Sequence, residues 1–282
     1  MQALRIIALR SGWYSFIYRG TPEFRNPDEG ELASIETDLI RLGVTLEDYN
    51  VDIQDFAAFC EKAGFPSHYH GGVEGGVWHE KLLEHFIADD LLGLSNFTPE
   101  QKYVDVAACS SPWAKLLREK HGVSAFAIDL EVPDAYGNLD YYMQQDATAT
   151  DFAESSVDGA SLQCAYEMFR DNDDEMLINE VARILSPGGK LVIVPLYMHT
   201  HYCAYATPEY WGRGYTDPDA EEYVNLTSLG VPSSRKYDAA TLDARVLQAI
   251  RDNGMNYRLH VLRNKEEVGH DVYCHFILEI TK

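Results

Sequence analysis

The sequence predicts an α/β fold, a mostly parallel sheet with helices on both faces, and three observations carry that prediction. Beyond Pro99, short apolar runs alternate with amphipathic stretches, the texture of strands separated by crossover helices. The run Tyr103-Val104-Asp105-Val106 ends at small residues, Ala107-Ala108-Cys109-Ser110-Ser111, and then at Pro112, as a strand does when it meets a ligand at its carboxyl edge. The tail carries two apolar segments across a charged turn, which reads as a closing antiparallel pair.

From Glu31 to about Gly64 the pattern is helical: Leu32, Ile35, Leu39 and Leu42, then Ile53, Phe56, Ala57 and Cys60, recur at helical spacing. The glycine-rich stretch 71–76 follows as a joint or ligand-facing loop, and Trp78 to Leu92 reads as another helix. Residues 1–76 are therefore expected to form a helical extension placed as a lid, with Tyr14, Tyr18, Tyr69 and Trp78 available for contact. Residues 77–282 would form the main domain.

Strands are expected at Tyr103–Ala107, Ala125–Leu130, Leu139–Gln144, Gly159–Ala165 and Lys190–Tyr197, and in the tail at Asn256–Arg263 and Val272–Ile280, making seven. Helices are expected at Pro112–Lys120, with proline suited to a first turn, at Asp174–Leu185 and at Ala239–Asn253. An aromatic insertion covers about 198–236. The run Glu131 to Asn138 contains Pro133 and Gly137 and is too short for the usual crossover helix.

Composition narrows the function classes. With 45 acidic against 23 basic residues the net charge is −22, which repels a phosphate backbone and argues against nucleic acid as a partner. Five widely spaced cysteines without a C-x-x-C pair indicate neither a disulfide framework nor a zinc ribbon and fit a reducing, cytoplasmic setting. No apolar run approaches bilayer length, so no membrane role is expected. Two His-x-His pairs, His68/His70 and His199/His201, have a metal-compatible spacing, but spacing identifies no third ligand and no metal is assigned. Histidines six apart, as in His79 and His85, fall on different helix faces and make no zincin motif.

Five segments in order now resemble one family. They are Val104 to Ser110, Ala127-Ile128-Asp129-Leu130, Gln145-Asp146-Ala147, Asp158 to Phe169, and Leu185-Ser186-Pro187-Gly188-Gly189. Together they resemble the class I S-adenosylmethionine-dependent methyltransferases of the type 11/12 kind, over roughly Tyr103 to the C-terminus. The resemblance implies a Rossmann-like fold and S-adenosyl-L-methionine as cofactor. It implies cofactor contacts at Asp105, Ala107, Ala108, Ser110, Asp129, Leu130, Asp146, Ala147 and Cys164. In that reading Asp105 helps hold the methionine ammonium, Asp129 or the nearby Glu131 takes the ribose hydroxyls, and Asp146 accepts from the adenine amino group. The plainer roles are a helix cap for Asp129 and a solvent-facing turn for Asp146. Where the family carries three glycines this chain has Ala107, Cys109 and Ser111.

A small-molecule acceptor, hydroxylated or aromatic, is expected, with oxygen as the favoured atom. Tyr166, Tyr197, Tyr202, Tyr205 and Trp211 are candidates to contact it through amphipathic rings, or else they pack the insertion. His199 and His201 are the candidate bases, because imidazole titrates near neutral pH. A homodimer is the assembly allowed. The rival readings are a non-catalytic binding protein on a degenerate version of the fold, and a metal-dependent hydrolase using both His-x-His pairs.

Overall fold

A computed structural model describes residues 17–72, 76–213, 215, 217 and 219–282. Tyr14, and Val73 to Gly75 of the expected glycine-rich lid, lie outside the described residues. The strands, in chain order, are β1 (Leu46–Tyr49), β2 (Lys102–Val106), β3 (Ser124–Asp129), β4 (Tyr142–Gln144), β5 (Val157–Gln163), β6 (Leu185–Leu196), β7 (Cys203–Ala206), β8 (Glu221–Val224), β9 (Ser234–Lys236), β10 (Asn256–Leu262) and β11 (Phe276–Thr281). The longer helices are α1 (Glu29–Arg41), α2 (Ile53–Lys62), α3 (Trp78–Leu92) and α4 (Asp173–Ile184). The helix expected from Pro112 is a short α turn, Trp113–Leu116, continued as a π turn, Leu117–His121. Likewise Ala239–Thr241, a π turn at Leu242–Leu247, and Gln248–Asp252 replace one continuous helix.

The chain divides into two compact units. The larger comprises 44–166, 173–196 and 245–282, and the smaller 1–43, 167–172 and 197–244.

The larger unit holds one sheet in the order β1-β10-β11-β6-β5-β2-β3-β4, in which only β11 runs antiparallel to its neighbours. This is the Rossmann-like arrangement the sequence predicts, with eight strands in place of seven. The added strand is β1, which interrupts the stretch expected to be helical and pairs parallel with β10, Leu46 opposite Leu259. Its outer positions are charged: Arg258 pairs with Glu47 at 3.7 Å and Arg263 with Asp48 at 2.6 Å. Charge on an edge strand discourages further pairing.

Central strands read as continuous apolar runs because both faces are covered. Leu191, Val192, Ile193 and Val194 of β6 are all fully buried, and α3 packs across β5 and β6. Between β3 and β4 the chain makes turns without a helix, as the breaker-rich sequence there requires.

In the smaller unit, α1 begins at a capping box in which Asp28 and Glu31 each bond the other's backbone amide. A three-stranded sheet runs β8-β7-β9, with β7 parallel to β8 and antiparallel to β9. None of the five cysteines, all among the described residues, is in a disulfide. No helix among the described residues is long and apolar enough to cross a membrane.

Candidate functional site

Strand β2 has β5 on one side and β3 on the other, so the chain order reverses at its carboxyl end. Such a reversal opens the crevice where ligands bind in open α/β sheets. The residues following β2 are the glycine-less loop. Ala107 and Cys109 adopt φ of 54° and 49°, the left-handed region that the family's glycines occupy without strain. Ser111, at the third glycine position, instead uses its hydroxyl to accept from the Trp113 amide at 3.2 Å.

Tertiary contacts hold this strained path. The Cys109 amide donates to Asp129 Oδ2 at 2.7 Å and the Ala108 amide to the Ile128 carbonyl at 3.0 Å. The Tyr142 hydroxyl donates to the Cys109 carbonyl, and that of Tyr136 to the Ser110 carbonyl at 3.2 Å. The two tyrosine rings stack with centroids 4.9 Å apart and planes 3° from parallel. The loop keeps a glycine path because Asp129 and a pair of tyrosines over-determine it. A left-handed residue with a side chain costs about 1–2 kcal/mol. Ala107→Gly and Cys109→Gly are each expected to raise stability by about 0.5–1 kcal/mol; urea midpoints at or below that of the parent for both would refute the strain.

Beneath the loop, Asp105 is almost wholly buried and its Oδ2 has no hydrogen-bond partner among the described residues. Burial pushes its carboxyl up to about 7; a bond from the Ser111 hydroxyl opposes the rise and the Asp129 charge adds to it. A buried, unmatched acceptor of this kind suits an incoming cation. Asp129 is half-buried and already engaged, its Oδ1 accepting from the Glu131 amide at 3.1 Å. Leu130 is 65 % exposed, an apolar surface next to these carboxylates. Asp146 Oδ1 accepts from the Thr148 amide and hydroxyl at 2.9 and 2.7 Å, so this atom serves the turn, while Ala147 is buried. Cys164, leaving β5, is a third left-handed residue with a side chain at this edge, with φ of 51°. The Tyr166 ring is buried and its hydroxyl donates to the Asp174 carbonyl at 3.2 Å.

Tyr69, expected as a lid contact, and buried polar residues of α3 complete this edge. The Tyr69 hydroxyl meets His85 Nε2 at 3.0 Å, and burial holds His85 down at about 3, with the Lys81 charge adding. Lys81 and Glu84 form a buried ion pair at 2.7 Å, and the Lys81 ammonium lies 5.8 Å from the Tyr273 ring centre. Glu80, Lys81, Glu84 and His85 are all buried on α3, whose sequence marks only Leu82, Leu83, Phe86, Ile87 and Leu91 as inward. The polar pairs at 80–81 and 84–85, flanking Leu82 and Leu83, were the available signal.

The remaining candidates belong to the smaller unit. His199 and His201 stand with ring centres 4.5 Å apart, and burial lowers the His199 pKa, with the neighbouring His201 adding. The Lys236 ammonium sits 3.4 Å from the centre of the Tyr197 ring and 5.2 Å from that of Tyr205, and Tyr205 packs on Phe24 at 4.4 Å. Tyr202 donates to Asp217, and Trp211 is partly buried, its amide on the Thr207 carbonyl at 3.1 Å. Tyr197, Tyr202, Tyr205 and Trp211 are each partly buried within this unit.

Residues 104–193 match the family of methyltransferase domains. No curated protein matches the chain. Solved structures similar to it include the 1,6-didemethyltoxoflavin-N1-methyltransferase of Burkholderia thailandensis, solved with 1,6-didemethyltoxoflavin and S-adenosylhomocysteine. It is 14 % identical with a TM-score of 0.46, over 83 % of this chain and 92 % of that one. An S-adenosylmethionine-dependent methyltransferase of Mesorhizobium loti is 19 % identical, TM-score 0.45, over 69 % and 98 %. One from Archaeoglobus fulgidus is 9 % identical, TM-score 0.45, over 77 % and 98 %.

Proposed function

We propose that this chain, whose residues 104–193 match a methyltransferase domain, transfers a methyl group from S-adenosyl-L-methionine to a small hydroxylated or aromatic acceptor. The observation that carries the reading is the buried, unmatched Asp105 carboxylate oxygen beneath a loop held in a glycine conformation. When bound, the cofactor supplies an electrophilic methyl group on a sulfonium. Displacement of that methyl is in-line, so the protein's task is alignment and exclusion of water.

Asp105 would receive the methionine ammonium, replacing the missing partner of Oδ2. Asp129 would accept from the ribose hydroxyls with the lone pairs that the Cys109 and Glu131 amides leave over. The backbone of Ala107, Ala108 and Ser110 would follow the amino-acid part of the cofactor. Leu130 would cover a face of the adenine, with Asp146 and Ala147 at its edge and Cys164 nearby. Oxygen is the proposed acceptor atom. Cysteines outside any disulfide fit a reducing, cytoplasmic location.

Calorimetry with S-adenosylhomocysteine tests the reading: binding is expected in the micromolar range, and none at high micromolar concentration would end it. Asp129→Ala is expected to weaken that binding by about 1–3 kcal/mol through lost charge-assisted bonds. Unchanged affinity would transfer the ribose to Glu131.

A further inference from the structure

We infer that His199, His201 and Cys203 form a binding site for a zinc-class transition-metal ion within the smaller unit. The three residues follow one another as His-x-His-x-Cys, and the chain bends at Thr200 and His201 before Cys203 opens β7. Their ligand atoms all lie within 4.8 Å of one another, and theirs is the group of three with this property among the described residues. A tetrahedral ion with bonds of about 2.0–2.3 Å sets its ligands roughly 3.3–3.8 Å apart, so small side-chain rotations close the site.

The imidazoles are already oriented from outside. His201 Nε2 faces the Tyr223 hydroxyl at 3.0 Å and the Glu221 carboxylate at 3.5 Å, and a ring N–H of His199 bonds the Arg25 carbonyl. Metal-bound histidines use their second nitrogen in this way, which fixes the tautomer and the ring plane. The two Nδ1 atoms each lie 3.3 Å from Thr200 Oγ1, so both point at one place. Cys203 is fully buried and free, and its register neighbours are Glu221 on β8 and Lys236 on β9.

Lys236 and Arg25 are cations nearby: the Lys236 ammonium is occupied by the Tyr197 ring and the Ser234 hydroxyl at 3.0 Å, and Arg25 is paired with Glu31 at 2.5 Å. Two nitrogens and a sulfur favour zinc, cobalt(II) or copper over magnesium or calcium. The fourth position falls to solvent, and the ion would fasten 199–203 to the three-stranded sheet described for this unit. Ligation also removes both imidazoles from service as free bases. His68 and His70 share the His-x-His spacing, yet no third donor joins them among the described residues.

The test is titration of the full chain, stripped with chelator, with cobalt(II) alone. One equivalent is expected to bind, with a thiolate-to-cobalt charge-transfer band and a rise in Tm. Cys203→Ser should abolish the band, and His201→Gln should weaken binding about 100-fold. His201 is 39 % exposed, so its variant reports on the site even if Cys203→Ser fails to fold. Absence of the band, or binding unaffected by His201→Gln and lost in His68→Gln, would overturn the assignment. Neither result depends on cofactor binding in the other unit.

Discussion

Asp105→Asn is expected to weaken S-adenosylhomocysteine binding by about 2–3 kcal/mol, roughly 30- to 150-fold, while the protein stays folded. Asparagine matches aspartate in size, so the buried site at the end of β2 is not emptied. What disappears is a carboxylate with an unmatched oxygen, the group best suited to an ammonium. The pH profile separates this role from a packing role. Burial raises the Asp105 carboxyl to about 7, so below that pH part of the binding energy is spent on ionising it. Affinity should therefore rise about tenfold per pH unit up to about 7 and then level off. In the asparagine variant this slope should vanish. Stability without cofactor moves the other way. A folded pKa above the unfolded 3.8 gives a contribution fully present below 3.8 and lost as pH rises through about 7. Above pH 7 the variant should unfold at higher urea than the parent, and near pH 4 at nearly the same. A binding slope that survives in Asp105→Asn would remove Asp105 from the cofactor site.

The features legible in the sequence are those encoded locally. Apolar runs ending at Asp105 and Asp129, and the Pro-Gly-Gly approach to β6, give the strands and the carboxylates at their ends. Strand β1 was not legible because four residues, two of them charged, carry no local strand signal; Leu46 is extended because Leu259 lies opposite it. The loop illustrates the same limit more sharply. Alanine and cysteine argue locally against a left-handed turn, and the turn persists because Tyr142, from a strand 33 residues on, binds the Cys109 carbonyl, with Tyr136 stacked on it. The polar residues of α3 were missed for a related reason. Lys81 and Glu84 lie buried among apolar positions of the helix, and only the fold reveals that the Lys81 ammonium meets Tyr273. Cys203 likewise joins the two histidines only once the fold brings their ligand atoms together.

Removal of Arg245 is expected to have the largest effect on stability. Asp174, in the first turn of α4, has a fully buried side chain, and Arg245 grips it with a fork, Nε to Oδ2 at 3.0 Å and Nη2 to Oδ1 at 2.7 Å. Two parallel charge-assisted bonds fix the angle as well as the distance between the helix start and the π turn that carries Arg245. Arg245→Met leaves a charge deep in the protein without its counter-ion, an arrangement that destabilises by about 3–5 kcal/mol. At this chain length that lowers Tm by roughly 10 °C. Desolvation of the pair nearly cancels its attraction, so Asp174→Leu combined with Arg245→Met should recover most of the loss. Arg245→Lys should fall between, since it restores the charge without the fork. The chain leaving β5 at Cys164 reaches α4 through Tyr166, whose hydroxyl bonds the Asp174 carbonyl, so the pair also anchors one side of the cofactor edge. Equal stabilities for Arg245→Met and the parent would show that the buried carboxylate takes its compensation from elsewhere.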